Sequence, residues 1–245
     1  MRRRKLALLA GAREAHALAS VLVAAGAEVR ACLSEPSRLA PLPVPTHVAS
    51  AEPADGLSAW LAADVPDRVI DAGHPFDAGV TAVAQQACKT LGIPYLRLLR
   101  PAWQAQTGDC WTGVGSIPEA VAALPPEARV FANTGRATVD DWRDFEGTAL
   151  ILRIMETPAT PPPFTFMTYL PASPPFTLED ERAMLRDNAI THLVCRNTGG
   201  VESRAKLEAA RSLGCQVLMI ARPAAPPGAP VVASVAEARD WALAP

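Results

Sequence analysis

Five short stretches carry residue types that can hold an anion or move a proton. Residues 195–210, CRNTGGVESRAKLEAA, run from an apolar end through Asn197-Thr198-Gly199-Gly200 into a charged stretch of helical character. A phosphate laid over a helix start at 201–203 would meet exposed backbone N–H groups and the positive end of the helix dipole, and paired glycines let a backbone come close. The stretch is neither GxGxxG nor a P-loop, and the same Gly-Gly also serves as a plain strand-to-helix corner. Residues 130–142, VFANTGRATVDDW, repeat the Asn-Thr-Gly core and add Arg136 at an expected helix start. An arginine there is the usual means of gripping a ribose 2′-phosphate; an exposed arginine after a turn is the alternative. In residues 69–80, VIDAGHPFDAGV, a strand ends near Asp71 and turns through Gly73-His74-Pro75. His74 can donate, accept or shuttle a proton near neutral pH, or simply shape a helix entrance. Residues 95–103, YLRLLRPAW, set Arg97 and Arg100 three apart beside aromatic groups, a surface suited to a flat, carboxylated ligand. Gly11 and Arg13, in AGARE at 10–14, form a weaker version of the glycine corner.

These corners need rigid elements to hold them. Short apolar runs alternate with longer segments of helical spacing, the pattern of parallel strands covered on both faces by crossover helices. Strands are expected at 5–9, 28–33, 68–71, 95–98, 129–132, 149–154, 192–195 and 216–220, and the clearest helices at 14–25, 77–91, 203–213 and 235–243. Gly26, Gly92 and Gly214 follow helices, where a left-handed cap suits glycine. The proline-rich run TPATPPPFTFMTYLPASPP, 157–175, excludes a regular helix or a central strand and reads as a connection between two halves. The expected fold is α/β: two Rossmann-like lobes with mainly parallel sheets, at 1–125 on the substrate side and 126–245 on the cofactor side, facing across an interlobe cleft. A single continuous sheet is the alternative.

Composition removes several classes of function. A chain of 245 residues that is 49% hydrophobic can build a full core, and a net charge of −2 gives no general attraction to nucleic acid or anionic lipid. No apolar run approaches the roughly 20 residues that span a bilayer, and the apolar start at 6–12 meets Arg13 and Glu14 at once, so it reads as a strand rather than a signal peptide. The five cysteines form no CxxC pair, and no HExxH, GxSxG or local ligand cluster marks a metal or nucleophile site. A soluble, cytoplasmic protein with reduced thiols and no metal is the expectation.

Taken in order, these stretches resemble one family, the precorrin-6A reductases of cobalamin biosynthesis. The resemblance rests on LLAGAREAHALA, DAGHPF, GIPYLRLLRPAW, NTGRATVDDW, PPFTLEDE and RNTGGVESRAKLEAARSLG, each weak alone and specific in joint order. The family's usual Gly-Gly-Thr corner is Ala10-Gly11-Ala12 here, its Thr before the histidine is Gly73, and its Lys before Asn-Ser-Gly-Gly is Arg196.

The resemblance implies reduction of one double bond of precorrin-6A to give precorrin-6B, with NADPH as hydride donor and hand-over to other corrin-pathway enzymes. Cobalt-free and cobalt-containing substrates are not distinguished. The cofactor phosphates are expected over Thr134, Gly135 and Arg136 and over Asn197, Thr198, Gly199 and Gly200, extending to Ser203 and Lys206. The carboxylate arms of the macrocycle are expected on Arg13, Arg97, Arg100 and Arg196, near Gly11 and His74, with His74 or a bound water as proton donor. Two readings from other classes stand beside this one: a non-catalytic dinucleotide-binding sensor, and a nicotinamide-dependent reductase of a small substrate.

Overall fold

The computed structural model describes residues 3–34, 41–48 and 53–245. In chain order the first elements are β1 (Lys5–Ala10), α1 (Glu14–Ala24), β2 (Glu28–Leu33), β3 (Thr46–Val48), α2 (Pro53–Ala63), β4 (Arg68–Ala72), α3 (Ala78–Leu91) and β5 (Tyr95–Leu98). There follow β6 (Trp111–Val114), α4 (Ile117–Ala123), β7 (Arg129–Asn133), β8 (Ala149–Ile154), β9 (Met167–Pro171), α5 (Leu178–Asp187), β10 (His192–Arg196), α6 (Ala205–Leu213) and β11 (Gln216–Ile220). The chain ends in β12 (Val231–Val232) and α7 (Val235–Leu243).

Two compact units result, one made of 1–101 with 223–245 and the other of 102–222. Each holds a six-stranded sheet in which every pairing is parallel. The first sheet runs β12-β5-β4-β1-β2-β3 and the second β6-β11-β10-β7-β8-β9. The consecutive strands β1–β5 and β7–β11 therefore wind in the same order. Each sheet is completed by an edge strand from outside its run, β12 for the first and β6 for the second.

The expected boundary at 125/126 is replaced by two crossings. Residues 111–114 pair with β11 in the second sheet, and the C-terminal strand and helix return to the first unit. The proline-rich run does not link the units. It lies wholly inside the second one, where it carries β9, an edge strand parallel to β8. An edge tolerates proline because one side of the strand has no ladder to complete.

Apolar residues on successive strand positions cover both faces of the first sheet. Leu6 and Leu8 point to α1 and α7 with Leu18, Leu22, Ile70 and Ala238, while Ala7 and Leu9 point the other way with Leu57, Leu61, Val69 and Ala84. This is the period-2 geometry of a strand applied to an unbroken apolar run. In the second unit Phe131, Leu193, Cys195, Val217 and Met219 pack against Leu185, Leu207 and Ala210 of the covering helices. Side-chain caps begin α4, α5 and α7: Ser116 accepts from Glu119 N, and Thr177–Asp180 and Ser234–Glu237 form capping boxes. Gly92 and Gly214, both at φ 68°, close α3 and α6 in the left-handed conformation.

Candidate active site

In open parallel sheets, ligands bind beyond the carboxyl ends of the strands, where successive connections leave in opposite directions. That point lies between β1 and β4 in the first unit and between β7 and β10 in the second. All four glycine corners singled out by the sequence fall there, two in each unit: Gly11-Ala12-Arg13 after β1, Gly73-His74 after β4, Thr134-Gly135-Arg136 after β7, and Asn197–Gly200 after β10.

The first pair of corners is in direct contact. A methyl group on Gly11 would lie 2.9 Å from His74 N and 3.3 Å from Gly73 Cα, so only a glycine lets the two turns meet. The His74 turn is held from below by Asp71, whose side chain is buried at the end of β4. Asp71 Oδ1 accepts from Gly73 N at 2.8 Å and from Arg97, and Oδ2 accepts from Thr81 Oγ1 at 2.9 Å and Tyr95 Oη at 2.7 Å. Burial and the Asp71 charge push the Tyr95 hydroxyl well above its ordinary pKa, so it remains a donor to the carboxylate. Arg97 also donates to the carbonyls of Asp71, Gly73 and His74, at 3.4, 3.2 and 3.1 Å.

Arg97 was expected on the ligand and is placed otherwise. It is the register partner of Asp71 across β4 and β5 and only 4% exposed, and its terminal nitrogens are spent on the turn. Arg100 is half-buried and paired at 2.6 Å with Glu14 at the start of α1, while Arg13, just before that helix, is exposed. The half-buried His74 ring accepts from Phe76 N through Nδ1 at 3.3 Å, so in the neutral ring the proton sits on Nε2.

The second pair of corners is formed by adjacent strands, with Asn133 of β7 opposite Cys195 of β10. Gly135 takes φ 90° and Gly199 φ 73°, both in the region that favours glycine, whereas Gly200 is extended at φ −75°. Arg196 ends β10 and reaches across to the neighbouring turn: a methyl on Gly135 would lie 3.7 Å from its Nη2. It therefore stands with the second group of corners. Arg136 is exposed beside it in sequence order after Gly135. The expected helices begin differently. A 3-10 helix spans Arg136–Trp142, and the α-helix after the Gly-Gly corner starts at Ala205, behind a 3-10 turn at Val201–Ser203.

Three expected cofactor contacts face inward. Thr134 is fully buried, its hydroxyl 2.8 Å from Thr138 Oγ1, which in turn donates to Gly135 O. Lys206 is 3% exposed; its Nζ donates to Ser203 O at 2.7 Å and stands 4.9 Å from the centre of the Trp103 ring. Burial lowers its pKa, with Cys195 and Glu181 acting in the opposite sense. Asn197 directs its amide to the backbone of Trp103, accepting from Trp103 N at 2.8 Å and donating to Trp103 O at 3.0 Å. Asp71, Tyr95 and Trp103 lie in stretches that the sequence marks, but their roles in bracing the corners, and that of Thr138, were not expected; those of Tyr95 and Trp103 rest on partners distant in sequence. The shared Arg-Pro of Arg100-Pro101 and Arg222-Pro223 is the signal that marks where the chain passes between units.

Two parallel-sheet units, each with two glycine corners and nearby arginines at its switch point, define a doubly wound, Rossmann-like class of α/β protein. The comparisons narrow it. The profile of the family described as Precorrin-6x reductase CbiJ/CobK matches residues 5–243. The precorrin-6A reductase of Rhodococcus erythropolis is 38% identical over 242 residues, covering 97% of this chain and 96% of that one. The precorrin-6A reductase of Rhodobacter capsulatus is 39% identical over 226 residues, with 91% and 89% covered. A solved structure of CobK precorrin-6A reductase superposes with a TM-score of 0.89 at 35% identity, covering 97% of this chain and 95% of that one. The chain belongs to the precorrin-6x reductase family.

Proposed function

We propose that this chain reduces one double bond of precorrin-6A to give precorrin-6B, drawing the hydride from NADPH, in the cytoplasm. The carrying observation is the pairwise convergence of the four glycine corners on the two switch points, in a chain whose relatives are named precorrin-6A reductases. When bound, the reduced nicotinamide supplies the hydride. The chain's own residues bind, orient and protonate.

In the second unit, Gly135 and Gly199 take positive-φ conformations in the turns after β7 and β10, and Arg196 and Arg136 add two guanidinium groups, a donor set that fits phosphate. Thr134 and Asn197 shape this cradle from within. In the first unit, Arg13 and Arg100 supply cationic groups for the acetate and propionate arms of the macrocycle. His74, whose turn is held by Arg97 and Asp71, is the donor of the proton that accompanies the hydride, released from the imidazolium to leave the neutral ring. Arg97 serves this step by positioning.

The test is to mix the purified chain with precorrin-6A and either NADPH or NADH, following the absorbance of both cofactor and macrocycle. Stoichiometric oxidation of NADPH with a shift of the macrocycle spectrum, and a slower reaction with NADH, is expected. A sensor would bind NADPH without oxidising it. Failure to oxidise either cofactor with authentic substrate would overturn the proposal.

A further inference from the structure

Every main polar group of Asn197 is engaged by the protein. Its backbone N–H donates to Ile220 O at 2.9 Å, and its carbonyl accepts from Arg222 Nε at 2.7 Å. Its side-chain amide pairs with both the N–H and the carbonyl of Trp103. An asparagine amide used this way imitates a strand edge and fixes one peptide unit in two directions. The Trp103 indole then returns to the same turn, Nε1 donating to Gly200 O at 3.2 Å.

The partners of Asn197 share a place in the chain. Trp103 is the second residue of the second unit, and Arg222 is its last. The single turn after β10 is thus bonded to the chain just inside both crossings.

We infer that Asn197 is a positioning residue, coupling the turn at 197–200 to the chain at both crossings, so that a cofactor held on the turn also orders Trp103 and Arg222. The inference rests on the reading that this turn holds NADPH. Its role is to transmit occupancy of the crevice to the two segments through which the units are joined. The amide does this by geometry: a shift of the turn moves Oδ1 and Nδ2 together, and with them the Trp103 peptide.

Hydrogen exchange measured by NMR on the full chain, with and without saturating NADPH, reads the coupling directly, because the Trp103 N–H is itself bonded to Asn197 Oδ1. NADPH should slow exchange at the amides of Gly199 and Gly200 and at Trp103 N–H by about tenfold or more, beyond any change in the β8 core amide of Leu152. In Asn197→Ala the turn amides should still respond while Trp103 N–H does not. The KM for NADPH should rise roughly tenfold, the scale of two lost hydrogen bonds, with kcat within about twofold. Asn197→Asp keeps the acceptor and the shape, and should retain the Trp103 response in part. A wild-type turn that is slowed while Trp103 N–H is unchanged overturns the coupling alone, and so does an Asn197→Ala chain with unaltered Trp103 response and KM. If NADPH slows neither segment, the cofactor reading of the turn fails and the coupling falls with it.

Discussion

Arg97 and Asp71 face each other across neighbouring strands as a buried ion pair, and through it the His74 turn is fastened to the sheet by both side chains. Asp71 accepts four donors and Arg97 reaches three carbonyls besides the carboxylate, so the pair is a bracket rather than an isolated contact. Replacing Arg97 with Met leaves a buried carboxylate short of its charged partner and should cost about 3–5 kcal/mol in chemical denaturation. Arg97→Lys keeps the charge but not the planar fork, and should recover stability only in part while kcat stays depressed. Wild-type kcat in Arg97→Lys would remove Arg97 from the positioning of His74.

Gly11→Ala places a methyl 2.9 Å from a backbone nitrogen, where no flexible side-chain end can yield. The two corners must part. A stability loss of about 1–3 kcal/mol is expected, with at least a tenfold fall in turnover because His74 moves with its backbone. Thermal melts and steady-state kinetics on the same preparation check both.

Gly200 and Gly199 respond differently to substitution. Gly200 is extended, so Gly200→Val adds no backbone strain and reports on the space above the turn; the KM for NADPH should rise while the KM for precorrin-6A holds. A rise confined to precorrin-6A would assign the turn to the macrocycle instead, and no rise in either would leave it a plain corner.

Substitutions at Arg136 and Arg196 should distinguish the two nicotinamide cofactors. Truncating Arg136 to Ala should raise the KM for NADPH about tenfold and leave that for NADH within about twofold, if its partner is the 2′-phosphate. Arg196→Ala is expected to weaken both, since its guanidinium lies across the Gly135 turn. Equal losses in Arg136→Ala for the two cofactors would place Arg136 on a shared phosphate.

Cys88 links stability to alkaline pH. Burial, with the Asp71 charge, pushes its thiol from 9.0 up to about 12 in the folded chain. A group whose pKa is raised by folding contributes stability that is complete below its unfolded value and is lost as pH rises toward the folded one. Between about pH 9 and 10.5 this amounts to about 2 kcal/mol. Cys88→Ala should therefore lose less stability than wild type across that window. Parallel denaturation curves with the same pH slope would show that Cys88 titrates normally.

Much of this molecule is legible in one dimension. The inner strands β1, β2, β4, β5, β7, β8, β10 and β11 are each built around apolar residues, because most positions of a strand covered on both faces are apolar. The glycine corners are legible for the same local reason: positive φ or close approach leaves few residues to choose from. The strands that escape notice are β3, β6, β9 and β12, the four outer edges of the two sheets. They are short and largely exposed, and nothing in their own residues requires a strand until a neighbour offers its ladder.

The roles of the polar residues divide along the same line. That Arg97, Lys206, Thr134 and Asn197 sit beside ligand-like corners follows from order along the chain, but a charged or amide side chain can face the crevice or the core from the same backbone position. Tertiary contacts made that choice: Asp71 drew Arg97 inward, Trp103 and Ser203 enclosed Lys206, and the Trp103 peptide claimed Asn197. Sequence alone determined which corners exist and in what order, since local sterics and hydrophobic period suffice for that. Only the fold decided which side chains those corners hold for themselves, because the groups that satisfy a buried polar atom come from elements distant in sequence.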